Sequence, residues 1–346
     1  MKTALKFLAG LIAILVVVIA GGLTWLLNSR PDMSAFEPYF EAADTTPQPG
    51  SVQVRFFGTT AMLISDGTTN LMIDGWFTRP STLSIILGTV EPDIAEIEAG
   101  LERLGVTEVA MVAPVHSHFD HAMDVAAVAQ RTGAVVMGSE STAMIARGGG
   151  IPEDQILTPA DREKVTFGDF TVSLIEGNHY VFASSLADAA TQDLEITEPV
   201  IPPVPAMHYK QGKAYSILIE HPAGSMLVQG SAGYRDNLMD GIDVDVVMLG
   251  VGGIGSQTPE YQEQYWQQIV TPVSPEKIYA VHWDSFSANL SDLGNHPAAP
   301  DMLWDSVLGF DAAGGITYAH DHAESDGIAF GLLPLWEPVT VLPALR

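Results

Sequence analysis

The chain has 346 residues and a formal net charge of −27, from 42 Asp+Glu against 15 Lys+Arg. Polyanionic nucleic acid is bound mainly by Lys and Arg that displace counterions, so this balance argues against DNA or RNA as the usual partner. A composition that is 47% hydrophobic and 16% charged excludes a disordered chain, and the absence of cysteine removes disulfides, zinc ribbons and thiol nucleophiles, leaving His, Asp and Glu for metal or acid–base chemistry.

The first element is apolar. After Lys2 and Lys6, the stretch Phe7 to Leu27 carries no charge before Arg30, and as a helix it is long enough to cross about 30 Å of hydrocarbon. Residues 1–30 are therefore expected to form an N-terminal transmembrane helix. Two lysines before the span and one arginine after it keep the short end in the cytoplasm and leave the rest outside, on the periplasmic or extracellular face. The alternative is a cleaved signal sequence and a secreted body, because Ala20, Gly21 and Gly22 suit cleavage. Residues 31–50, with four prolines and several acids, read as a linker, so the folded domain is expected over 51–346.

Within the body, Ala61 to Gly75 (AMLISDGTTNLMIDG) superposes on Ser216 to Gly230 (SILIEHPAGSMLVQG), matching Leu63 with Leu218, Ile64 with Ile219 and Gly75 with Gly230. Each reads as a β-hairpin whose second strand ends in glycine. Strand-like runs at Val109–Val115, Ala134–Met137 and Val244–Leu249 alternate with helical patterns near His121–Arg131 and Glu260–Val270. Two similar β-rich halves follow, and two sheets facing each other with helices outside would bury them.

Chemistry concentrates in VHSHFDHAMD, residues 115–124. His116, His118, Asp120 and His121 fall immediately after an apolar strand and at the start of a predicted helix. In extended chain, residues two apart point the same way, so His116 and His118 can converge on one ion while Asp120 and His121 face a second. Imidazole nitrogen and carboxylate oxygen suit Zn2+, and Mn2+ or Fe2+ accept the same donors. Helix capping by Asp120 would explain one acceptor but not three histidines.

This string, HxHxDH, resembles the signature of the metallo-β-lactamase fold superfamily. GNHY with His179, QGSAGY at 229–234 and VHWDSF with His282 follow in the order such a resemblance requires. GTTAMLISDG and HWDSF look most like the branch containing ascorbate-phosphate lactonases and the phospholipase D that hydrolyses N-acylphosphatidylethanolamine. The resemblance implies a four-layer αββα sandwich of mixed α/β (α+β) class. It also implies one ion on His116, His118 and His179, a second on Asp120, His121 and His282, and catalytic roles for Asp120 and His121. The expected activity is hydrolysis of an ester, lactone, amide or phosphodiester bond by metal-activated water, in a small-molecule or lipid-like substrate. A β-lactam or lactone hydrolase without a bridging carboxylate and a non-catalytic metal-binding scaffold or sensor remain open alternatives. The superfamily's bridging aspartate is replaced here by Ser231, which weakens the second site and leaves one or two ions open.

Ser231, His208, Tyr180 and Tyr234 are candidate neighbours of substrate or ligands, with Trp76 and Phe119 as further pocket candidates. His296, His320 and His322 read as exposed loop residues. The glycines at 252, 253 and 255 give no Walker A string, so nucleotide binding is not expected. The sequence carries no signal for an oligomeric state.

Overall fold

In a computed structural model of the chain, residues 2–181 and 195–344 are described. Helix α1 spans Lys2–Asn28, and from Lys6 to Asn28 it is long and apolar enough to cross a membrane by length and composition, with none of that stretch buried in the body.

The body is built from two seven-stranded sheets. The first contains β1 (Val52–Phe56), β2 (Met62–Ser65), β3 (Asn70–Ile73), β4 (Met111–Ala113), β5 (Val135–Met137), β6 (Ile156–Leu157) and β14 (Pro338–Leu342), in the order β14-β1-β2-β3-β4-β5-β6. The second contains β7 (Lys164–Phe167), β8 (Phe170–Gly177), β9 (Ala214–His221), β10 (Gly224–Gln229), β11 (Val246–Gly250), β12 (Lys277–Val281) and β13 (Ala329–Gly331), in the order β13-β12-β11-β10-β9-β8-β7.

The hairpin repeat seen in the sequence extends to the whole of each half. From β1 to β6 the pairings run antiparallel, antiparallel, then parallel three times, and from β8 to β13 they repeat that series. The matched hairpins β2–β3 and β9–β10 pair in the expected way, Met62 opposite Ile73 and Ser216 opposite Gln229. β14 and β7 are the additions, each antiparallel to the first strand of its half.

Side-chain alternation explains the layers. In β11, Val246 and Met248 join the core between the sheets, while Val247 and Leu249 join a second core outside. That outer core takes Tyr265, Trp266 and Ile269 from α7 (Pro259–Ile269) and Ile316 and Ala319 from α8 (Ala312–Asp326). On the other side, α5 (Val125–Thr132) and α6 (Glu140–Gly148) pack on β4, β5 and β6, with α3 (Ile94–Leu104) against α5. Asp93 caps the amino end of α3, and Gly105, in the left-handed conformation, stops it. The result is the αββα sandwich expected.

Two local expectations need correction. Residues 31–50 do not hang free. A 3-10 turn at Ser34–Tyr39 lays Phe36, Tyr39 and Phe40 on the outer core, and the Glu41 and Asp44 amides donate to Leu332 and Pro338 carbonyls. Prolines suggested a linker, but three aromatic side chains buy more by burial than a tether would gain in freedom. The other correction concerns β4, which is shorter than the apolar run 109–115: it stops at Ala113, before Pro114, which has no amide to extend the ladder.

Candidate metal centre

The chemistry sits where strands end. His116 follows β4, His282 follows β12 directly, and Ser231 and His179 lie just beyond β10 and β8. A four-residue helix α4 (Phe119–Ala122) holds Asp120 and His121 in one turn with His118 as its N-cap residue. The six ligand candidates gather into two groups, His116 with His118 and His179, and Asp120 with His121 and His282. Within each group the donor atoms lie within 4.8 Å of one another.

Ring nitrogens face ring nitrogens at hydrogen-bond distance: His116 Nε2 is 2.9 Å from His118 Nδ1, and His282 Nε2 is 3.1 Å from His121 Nε2. His121 and His282 Nε2 also lie 3.3 and 3.4 Å from the same Asp120 Oδ2. Such convergence of nitrogen and carboxylate oxygen fits the donor chemistry of a transition metal such as zinc. His116 and His121 ring centroids are 4.0 Å apart, so the two groups are contiguous.

Electrostatics prepares the same donors. Burial, reinforced by the neighbouring imidazoles, holds His116 and His179 well below the usual histidine pKa, and burial lowers His118 to about 4. These rings are therefore neutral and able to ligate. Burial opposes ionisation of Asp120, but His121 and His282 outweigh it and hold its pKa well below the carboxylate range. Burial likewise opposes charge on His121, yet Asp74 and Asp120 together raise it to about 10, so without an ion this ring carries both protons and a metal would displace the one on Nε2.

Asp74 is the residue the sequence reading missed. Fully buried at the end of β3 with φ of 58°, it accepts from His121 Nδ1 at 2.7 Å, from the Val115 amide at 2.9 Å and from the Thr60 hydroxyl. It thereby fixes the His121 tautomer and turns Nε2 toward Asp120 and His282. The only sequence signal was its place before Gly75, at the end of the repeated hairpin. Its counterpart in the second half is Gln229, whose amide donates to the Ser231 and Gly233 carbonyls and so shapes the loop beside His179. His282 is itself left-handed, φ 60°, held by a 2.7 Å bond from its amide to the Thr59 carbonyl. Gly252 makes room for it: a Cβ there would lie 2.6 Å from the His282 carbonyl and 2.8 Å from its Nδ1.

Both groups open into one cavity of about 560 Å³ whose lining is mostly apolar, including Phe119, Tyr180, Trp304 and Phe310. Ser231 lines it too, and its hydroxyl accepts from the Tyr180 amide at 2.8 Å. His208 is exposed and does not line the cavity, although Met207 and Tyr209 on either side do. Tyr234 packs on Tyr261, with ring centroids 5.1 Å apart, outside the lining, and Trp76 is buried behind Phe119. His296 stacks on Phe40, and His320 and His322 stand on α8 rather than in a loop.

A further group, Asp66, Asp169 and His221, lies at hairpin turns of both sheets. There the Ala223 amide donates to His221 Nδ1 at 3.0 Å, which leaves the proton of the neutral ring on Nε2, facing Asp66. A metal at Nε2 would displace that proton and require an imidazolate, so this contact reads as a polar strut.

No protein-family model matches the chain. It is 23% identical over 239 residues to a protein of Pyrobaculum islandicum called UPF0173 metal-dependent hydrolase, covering 68% of this chain and 85% of that one. A protein of the same name from Pyrobaculum arsenaticum is 24% identical over 238 residues, with the same coverage. Among solved structures, CmlA, a diiron beta-hydroxylase from Streptomyces venezuelae, superposes with a TM-score of 0.51 at 13% identity, over 86% of this chain and 55% of that one. The paired sheets with helices outside them, and the HSHFDH string just beyond β4, are consistent with an αββα sandwich like that of the metallo-β-lactamase fold.

Proposed function

We propose that the protein is a metal-dependent hydrolase acting on an ester, lactone, amide or phosphodiester bond in an amphiphilic substrate. One observation carries this reading: two three-donor groups share a wall of a largely apolar cavity. His116, His118 and His179 would hold one ion, and Asp120, His121 and His282 a second. When bound, such ions polarise a carbonyl or phosphoryl oxygen and bring the pKa of coordinated water near neutral. The protein's own part is positional. Asp74 keeps the His121 proton on Nδ1, Gly252 admits His282, and the Ser231 hydroxyl pins the turn carrying His179. Phe119, Trp304 and Phe310 would receive the apolar part of the substrate and exclude bulk water, which strengthens electrostatic stabilisation at the reacting bond. Zinc, with manganese or iron as alternatives, suits the donor set.

The relatives named as metal-dependent hydrolases support the reaction class. The lactonase and phospholipase likeness supports a lipid-like substrate through the apolar lining. We read α1 as a membrane anchor with the body extracytoplasmic, because no polar residue but Thr24 interrupts Phe7 to Leu27 apart from glycines. Metal analysis of purified protein, with a panel of phosphodiester, lactone and β-lactam substrates, tests the function. Protein that takes up neither zinc, manganese nor iron refutes it, and metal-loaded protein inert to the whole panel favours a sensor. Recovery of the full-length chain in the soluble cytoplasm would refute the anchor.

A further inference from the structure

Among the described residues outside α1, six of the nine large exposed apolar side chains belong to α2, the 303–308 turn and Met207. Helix α2 (Thr82–Leu87) turns Thr82 and Ile85 inward and leaves Leu83, Ile86 and Leu87 exposed, Leu87 by 81%. Val307 and Leu308, at the end of the Leu303–Val307 turn, are exposed by 58% and 45%, and Met207 by 62%. Ile86, Met207 and Leu308 both line the cavity of the metal centre and face outward, so they stand at its mouth. In water the outer face of a surface helix is ordinarily polar. Here that face carries Leu83, Ile86 and Leu87, with Ser84 as its one partly exposed polar side chain, grouped around an opening, which marks a docking surface.

What covers it follows from the position of α1. The Met302 amide donates to the Ser29 carbonyl at 2.9 Å, and the Arg30 guanidinium donates to Ser285 Oγ at 3.0 Å and to the Ala299 carbonyl. The neighbouring Asp301 is buried and accepts from Thr82 Oγ1 of α2 at 2.5 Å and from Ser287 Oγ at 3.2 Å. The carboxyl end of α1, helix α2 and the 303–308 turn are thus tied to one short segment. A bilayer crossed by α1 would end near Asn28, and this apolar patch lies close by in the fold.

We infer that the mouth of the cavity lies against the bilayer, with α2 and the 303–308 turn seated in the lipid interface beside α1. The cavity then opens toward lipid instead of bulk water, as for other interfacial segments whose binding scales with buried apolar area. With a net charge of −27, attraction to anionic lipid does not drive the contact, and neutral phosphatidylcholine suffices. The inference rests on the reading of α1 as a span and not on the hydrolase reading.

The chain has no cysteine, so a single introduced cysteine can carry an environment-sensitive fluorophore with no native cysteine to remove first. Full-length protein labelled at Leu87→Cys or Val307→Cys is placed in phosphatidylcholine vesicles containing lipids spin-labelled either near the headgroup or deep in the acyl chains. Val16→Cys reports on the span. Thr68→Cys serves as the control, since it lies in the turn before β3, at the opposite end of that strand from Asp74. Quenching at 87 and 307 several-fold above that at 68, in protein whose circular dichroism is unchanged, is the expected result. Quenching at 16 but not at 87 or 307 overturns the inference and leaves the span intact. No quenching at 16 by deep spin labels removes the span and the inference with it. Pyrene excimer emission from Leu87→Cys without lipid quenching puts a second copy of the chain on this face and also overturns it.

Discussion

Replacing Asp74 with asparagine separates the act of ligating a metal from the act of aiming a ligand. The side chain keeps its shape but has one acceptor oxygen where the carboxylate has two, and the native residue accepts from Val115, His121 and Thr60. If the amide oxygen turns to Val115, the amide NH2 faces His121, whose ring must then accept at Nδ1 and carry its proton on Nε2. That proton occupies the position a metal needs. If instead the oxygen stays on His121, a donor faces the Val115 N–H in a fully buried site, at a cost of about 1–3 kcal/mol. Either way the second group suffers, and changes of this kind lower metal affinity roughly 10- to 100-fold, about 1.4–2.8 kcal/mol. Calorimetric zinc titration of chelator-stripped protein should show the weaker binding event of Asp74→Asn fall by this factor while the stronger remains. A folded variant with both events unchanged would refute the orienting role of Asp74.

Three further outcomes follow from the same geometry. His118→Ala should abolish the first group's affinity and reduce hydrolysis to background, read by metal content and rate. Ser231→Asp should keep the Tyr180 amide bond through one oxygen and turn the other toward the ions, raising affinity for the second ion; unchanged affinity in a folded variant would mean that position 231 does not face them. Gly252→Ala should push the His282 ring aside and weaken the second ion about tenfold with little change in the first, again by titration.

The metal string was legible because four donors fall within six residues, immediately beyond a strand end, where spacing alone fixes which side chains can converge. His179 and His282 were legible only as members of an ordered series, since a lone histidine after a strand has no spacing to support it. Asp74 had no such series: it acts on a ring 47 residues away, through Nδ1, and only tertiary contact reveals that. His208, a candidate whose alternative was a surface histidine, stands exposed on the 3-10 turn Ala206–His208, while Met207 and Tyr209 on either side reach the lining. The segment 31–50 was read by its prolines, when Phe36, Tyr39 and Phe40 were the residues that decided its fate.

The pairing of β14 with β1 has a bearing on biosynthesis. Val52 aligns with Leu342, so the first of the body's described strands to be synthesised waits for the last of them before its outer edge is satisfied. Until then β1 presents unpaired amides and carbonyls, the kind of edge that templates wrong pairing between nascent chains. Loop closure over that span is slow compared with the local hairpins β2–β3 and β9–β10. A translation product ending before Pro338 would carry two finished hairpins, the whole HSHFDH string and an open first sheet. Such a product would hold that edge open to pairing with a strand of another chain.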